Sequence, residues 1–461
     1  IAEGGPSDVS LVDYVRVTYW HTYTADQDAL LMTCPEQSGP QTINGFSNRS
    51  IRVLDITNGG EPQELIGRIE EQKDGSFAVT VEVAGSGERT LIAFTEDRVK
   101  KPLSSVANQV SFWRESSNAA DLLIITHREF SMSLAPLKAL RQRQGFDVEI
   151  VDIEDIYDEF SFGAKRPEAV KEFLLLASST WKKPPRFVLF VGDASYDSRN
   201  YLGGGDVDFV PTKLIDTLYL ETASDDWFAD FNNDGLAEMF VGRLPVRTSF
   251  DAEALVSKIV GYDSAVSKRV NARKAVLLVA DKNDGFNFEK ASEDLRALVP
   301  AGVGVQQVFR GRLDDAAAKK QLIEAINAGI SIVNYIGHGS TNSWRDLFTD
   351  DDVRSLNNQQ RLPLFVTMTC LNGFFQDPVN RSLGEGLLNS ERGGAIAVWA
   401  SSGLTDPGQQ TAMNQQAYRL LFEAAGKPTL GEVTARAKSA VRDKDVRRTW
   451  ILLGDPTTRL R

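Results

Sequence analysis

"LPLFVTMTCLNGFF", residues 362–375, decides the reading of the fold. Leu364 to Thr369 is an apolar, β-branched run of the kind found in strands buried on both faces of a parallel sheet. The run stops at Cys370, and Leu371-Asn372-Gly373 reads as a turn. A second stretch, "ISIVNYIGHG" (330–339), has the same form and ends in Gly337-His338-Gly339.

The surrounding chain supplies what such strands need. "DLLIITH" (121–127), "FDVEIVDI" (146–153), "RFVLFVGD" (186–193) and "MFVGRLPV" (239–246) are separated by helical patterns such as "RPEAVKEFLLLASST" (166–180). A second series begins at "KAVLLVAD" (274–281) and runs through both stretches above to "GAIAVWASS" (394–402). Strands alternating with helices of this length imply parallel sheets covered on both faces. The expected fold class is α/β, with two side-by-side α/β subdomains at 116–265 and 266–461. Residues 1–115 form a separate β-rich domain, since "SIRVLDI", "SFAVTVEVA" and "RTLIAFTE" are short strands divided by turn residues.

The 461 residues are 42% hydrophobic and 25% charged, enough for a large core. Net charge is −12 and no basic cluster is interleaved with aromatics, which argues against nucleic acid and anionic membranes as partners. No apolar run approaches a membrane span, so no membrane insertion is expected, and no export signal is visible at Ile1-Ala2-Glu3. Two cysteines, Cys34 and Cys370, cannot build a disulfide framework or a four-cysteine zinc site.

In an open parallel sheet, reactive groups gather where strands end at their carboxyl edge. His338 is one of three histidines and Cys370 one of two cysteines, and both sit at such ends. Cys370 can attack a carbonyl, His338 can protonate the leaving amine, and the N–H groups of Gly339 and Cys370 are candidates for an oxyanion hole. The flanking glycines would let a substrate backbone approach His338, and a helix after Cys370 would favour its thiolate. A buried cysteine is more often a small hydrophobe and a lone histidine a core group, so the residues alone leave both readings open.

"GISIVNYIGHGSTNSW" (329–344), "LPLFVTMTCLNGFF", "GGAIAVWAS" (393–401) and "WILLGDPTTRLR" (450–461) resemble the gingipain family of cysteine peptidases. The resemblance covers about 120–461 and implies a caspase-like fold preceded by a β-rich region. It implies Cys370 as nucleophile, His338 as general acid/base and Asp281 as the carboxylate against the histidine. The acidic specificity residue of Arg-directed members falls on Phe288, so no strong requirement for Arg or Lys at P1 is expected. Trp399 and Asp406, on the strand and loop forming another wall of that pocket, count with Phe288 as substrate-contacting residues. Asp406 also suits a turn before Pro407.

"DFNNDGLAE" (230–238) has the D-x-N-x-D-G start of a calcium loop, with Asp230, Asn232, Asp234, the Leu236 carbonyl and Glu238 as candidate ligands. Position 12 is Val241, so it is not an EF-hand. Asp350-Asp351-Asp352 reads as a helix N-terminus. The leading expectation is a cysteine endopeptidase acting on secreted or surface proteins through an acyl-enzyme, with structural calcium and no organic cofactor. By resemblance it is bacterial and secreted or surface-bound. The alternatives are a non-catalytic binding relative or a processing transpeptidase of the same fold.

Overall fold

In the computed structural model, the described residues are 15–461 except 37–38, 85–86, 103–107, 109, 265–274, 360 and 424–425. The expected boundary at 265/266 lies outside them. The chain forms two compact units, residues 1–107 and 108–461.

The first unit has a four-stranded sheet and a three-stranded sheet. Strand Ile51–Asp55 alternates buried and half-buried positions, and its inward residues meet Ile43, Val81 and the fully buried Cys34. Cys34 is therefore a small core hydrophobe.

The second unit is built on one ten-stranded sheet. In chain order its strands are β1 (Leu122–Thr126), β2 (Val148–Asp152), β3 (Phe187–Val191), β4 (Phe240–Leu244), β5 (Ala275–Ala280), β6 (Gly304–Phe309), β7 (Ile332–Ile336), β8 (Leu364–Met368), β9 (Ala397–Ser401) and β10 (Trp450–Leu453). Across the sheet they run β6-β5-β7-β8-β9-β10-β4-β3-β1-β2. The pairing β9–β10 is antiparallel and every other pairing is parallel. The sheet is thus two five-stranded parallel halves that run in opposite directions, with β10, last in the chain, joining β1–β4 rather than the strands that precede it.

Every residue of β1, β3, β7, β8 and β9 is buried, as continuous apolar runs between two helical layers require. Helix starts follow their capping residues: Asp314 accepts the Ala317 N–H, and Thr349 with Asp352 forms a capping box. The latter bears out the helix N-terminus read at Asp350.

Where the halves meet, Arg243 of β4 is fully buried. Its guanidinium donates to both oxygens of Asp225 (2.6 and 2.8 Å) and to the carbonyls of Gly192, Val210 and Pro211. All its donors are used, which is the condition under which a buried ion pair is tolerated. Asp225→Ala leaves that charge uncompensated and is expected to cost about 3–5 kcal/mol. Urea unfolding followed by tryptophan fluorescence measures it, and a change under about 1 kcal/mol would be a surface-like result that removes the structural role.

Candidate active site

Strands β7 and β8 pair in register, Ile332 with Leu364 through to Ile336 with Met368. His338 and Cys370 each lie two residues beyond the last pair, so both emerge side by side at one edge of the sheet. The Gly337 N–H donates to the Met368 carbonyl at 3.2 Å, extending the register past the strands.

His338 opens a small hairpin, Gly339–Ser340 against Ser343–Trp344. Its carbonyl accepts from the Tyr335 hydroxyl (2.7 Å) and the Arg345 N–H (3.0 Å). Tyr335 stacks flat on Trp344, with ring centroids 4.3 Å apart. The His338 ring stands edge-on to Phe288 at 5.2 Å, and its Nε2 is 2.9 Å from Asp284 Oδ2. With Nε2 engaged, Nδ1 is the nitrogen left for chemistry.

That carboxylate is Asp284 rather than the expected Asp281. Asp281 is fully buried at the end of β5, where it accepts the His338 backbone N–H (3.1 Å), and it is paired with Arg310 (2.6 Å) and Arg345 (3.1 Å). It fixes the histidine's main chain while Asp284 meets the ring. Burial works against the Asp284 carboxylate, but hydrogen bonds from the Phe286 N–H, His338 and Arg345 outweigh it and hold its carboxyl below the usual range. The sequence signal for Asp284 was an acidic residue three positions past the strand, in a stretch that reads equally well as a turn.

The glycines also act otherwise than expected. A Cβ on Gly337 would run into Asp281 and the Tyr335 hydroxyl, and one on Gly339 would lie 2.7 Å from Thr369 Oγ1. The room they leave is filled by the protein itself. It lets the His338 hairpin pack directly on the Thr369 side chain, next to Cys370.

Cys370 is half-buried, and its thiol faces the Thr405 carbonyl at 3.9 Å. Burial pushes the thiol up, and the Thr405 contact offsets this only in part. No helix begins at Cys370, since the next one is Leu383–Asn389, so the expected helix-terminal stabilisation of a thiolate is absent. Leu371 instead takes a left-handed conformation (φ +62°), pinned by its N–H on Gly403 and by Gly373 N–H on Ser401. A non-glycine residue in that conformation is strained, and such strain clusters at functional sites.

Asn372 ties the two loops together. It is fully buried, accepts the Trp344 indole N–H (2.8 Å) and donates to the carbonyls of Ser340 (2.7 Å) and Ser343 (3.3 Å). Its role was not read from the sequence beyond its place in the turn.

The three substrate-contacting candidates differ in their surroundings. Phe288 is 2% exposed and supports the His338 ring. Trp399 is buried in β9, edge-on to Trp450. Asp406 is exposed and accepts the N–H groups of Gly408 and Gln409 at the start of helix Pro407–Glu423, the turn role that Pro407 suggested.

In the 230–238 loop, Asp230 accepts the N–H groups of Asp234 and Gly235, Asn232 that of Asp234, and Asp234 that of Leu236. Glu238 turns to the Phe231 N–H and the Asn232 amide. Among the described residues no three His, Cys, Asp or Glu side chains converge as a metal cage. A cation here would draw on Asn232 and the Leu236 carbonyl as well as Asp230 and Asp234.

A covered α/β sheet with His338 and Cys370 at neighbouring strand ends is the arrangement that the resemblance to gingipain-like, caspase-folded peptidases implied. A family model described as Peptidase family C25 matches residues 115–461, and the chain belongs to that family. It is 22% identical over 371 residues to gingipain R2 of Porphyromonas gingivalis, covering 75% of this chain and 47% of that protein. It is 23% identical over 325 residues to Lys-gingipain W83 of the same organism, covering 60% of this chain and 18% of that protein. The crystal structure of the Arg specific cysteine proteinase gingipain R superimposes with a TM-score of 0.61 at 20% identity, over 75% of this chain and 79% of that one. The chain therefore spans about half the length of gingipain R2 and about a fifth of Lys-gingipain W83.

The raised thiol carries a pH consequence. Because burial disfavours the thiolate, alkylation of Cys370 by iodoacetamide is expected to climb about tenfold per pH unit from pH 7 to 9. Peptide mass mapping follows it, and a rate already flat below pH 8 would contradict a protonated resting thiol.

Proposed function

We propose that the chain is a cysteine endopeptidase. The observation that carries this is the in-register pairing of β7 and β8, which delivers His338 and Cys370 to adjacent positions. Cys370 Sγ attacks the scissile carbonyl as its proton passes to His338 Nδ1. The carbon–nitrogen bond then breaks and His338 returns the proton to the leaving amine. Water, deprotonated by the same nitrogen, hydrolyses the thioester and regenerates the thiol. The Gly339 and Cys370 N–H groups are the proposed oxyanion donors. Asp284 holds Nε2 and stabilises the imidazolium, and Asp281 positions the histidine's backbone.

Cys370→Ala and His338→Ala are expected to lose about 10⁴–10⁶ in kcat/KM, with Cys34→Ala unaffected. Asp284→Asn should lower kcat more than it raises KM. Turnover retained in Cys370→Ala refutes the assignment, and a labelled binding partner without any turnover in the intact protein supports the scaffold alternative. Product masses with an added amine distinguish hydrolysis from transfer.

Specificity is proposed to be for apolar or uncharged P1 residues. Phe288 stands at the position expected for an acid and is buried, and Asp406 is spent on its helix cap. A cation buried at P1 needs a counter-charge. Exclusive cleavage after Arg or Lys in a peptide library would overturn this.

Calcium is proposed as a structural ligand of the 230–238 loop, supported by the turn at Gly235 (φ +88°) and the Asx turns that converge there. It takes no part in the chemistry. Melting should rise with millimolar Ca²⁺, by an amount equivalent to about 2.7 kcal/mol at 100 times Kd, and Asp234→Ala should abolish the rise. A metal-stripped protein indifferent to calcium returns the loop to an ordinary turn. Protein substrates outside or at the surface of a bacterial cell remain the proposed setting, on the family relation alone. Among the described residues no helix is long and apolar enough to cross a membrane.

A further inference from the structure

A cavity of about 1130 Å³ reaches the end of the sheet opposite the catalytic loops and extends to Arg381, just before helix Leu383–Asn389. Ile330 and Ser331, just before β7, and Leu362, just before β8, line it, together with helix Ser249–Ser264 and the segment 459–461. The strands that present His338 and Cys370 at one end therefore present this cavity at the other.

Its charge runs against that of the chain. Net charge is −12, yet the described lining residues include six basic side chains and two acidic ones, Asp251 and Glu391. Arg361, Arg381 and Lys427 form no salt bridge and no side-chain hydrogen bond among the described residues. Other basic groups are matched by carboxylates, Arg141 by Asp263 and Asp455 and Arg312 by Glu289 and Glu293. Lys258 gives its three donors to the carbonyls of Leu388, Ser390 and Gly393, at 2.6–3.0 Å, with no carboxylate to balance its charge. Burial alone pushes its pKa down to about 8. A half-buried ammonium held only by carbonyls gains from any anion brought near.

The cavity is not simply polar. Leu255, Ile330 and Leu362 form apolar wall, and Phe250 at the rim is 69% exposed. Its volume exceeds the roughly 300–1,000 Å³ of sites for single small molecules. A fatty acid brings one carboxylate, which leaves most of these cations unmatched. An extended peptide alternating acidic and apolar side chains can meet several at once.

We propose that this cavity is a binding site for an acidic peptide segment bearing apolar side chains, separate from the catalytic cleft. The charge complementarity comes from Arg361, Arg381 and Lys427, and the apolar walls take the intervening side chains.

The test uses the full chain carrying Cys370→Ala, so that binding is read without turnover and whether or not the peptidase reading holds. A fluorescein-labelled peptide alternating Glu and Leu is titrated by anisotropy. Saturable, salt-sensitive binding is expected, weakened at least ~10-fold by Arg361→Glu with Arg381→Glu, and absent for the Lys–Leu counterpart. Both arginines are exposed and neither forms a salt bridge, although Arg381 lies close enough to act on the Asp350 carboxylate, so circular dichroism should be unchanged. Lys427→Glu alone gives a graded loss should the double variant misfold. Binding that survives these reversals, equal binding of the Lys–Leu peptide, or no saturable binding overturns the proposal. Displacement of the peptide by equimolar laurate does so too, since a single carboxylate would then suffice.

Discussion

The lateral register of two buried strands governs this site. Adjacent strands lie about 4.8 Å apart and rise about 3.3 Å per residue, so equal overhangs past a paired end leave two side chains as neighbours. A slip of one residue would shift Cys370 by that rise and turn every side chain of β8 to the other face. Because both strands are buried throughout, such a slip would disturb the packing on both faces of the sheet at once. Asn372 then fixes the turn beyond the strands, spending its amide on the hairpin that carries His338. The cysteine loop and the histidine hairpin are thus one hydrogen-bonded assembly, and neither can drift without leaving a buried polar group unpaired.

The strand ends were legible because burial on two faces writes an uninterrupted apolar run, and a reactive residue at its close stands out. The partner of His338 was not legible for the same kind of reason. The apolar pattern ends at Ala280, and beyond it the path of "DKNDGFNF" is set by side-chain turns that hydrophobicity does not encode. Asp281 is claimed by Arg310, which follows β6 and lies 29 residues away in sequence. Nothing local to Asp281 announces that pairing. Phe288 was assigned to the pocket by resemblance, at the start of a helix; it does open helix Phe288–Arg296, but with its side chain turned into the core. Likewise, two strand series were visible as patterns, whereas their opposed directions depend on β10, whose short run "WILL" meets β9 and β4 at the seam.

The electrostatics of the resting site bear on how such a centre would work. Burial pushes the Cys370 thiol up, which works against a stored thiolate. Asp284, held below the usual carboxylate range, is shared between the His338 ring and Arg345, which lies 3.3 Å away and also bridges to Asp281. Part of its field is therefore already neutralised. On the proposed reading, proton transfer from Cys370 becomes favourable only when a bound peptide excludes water from the half-exposed ring and the local dielectric falls, which strengthens the Asp284–imidazolium pair. Activation then follows from occupancy of the cleft. Arg345 is the group best placed to tune that threshold, because it competes with His338 for the same carboxylate oxygen.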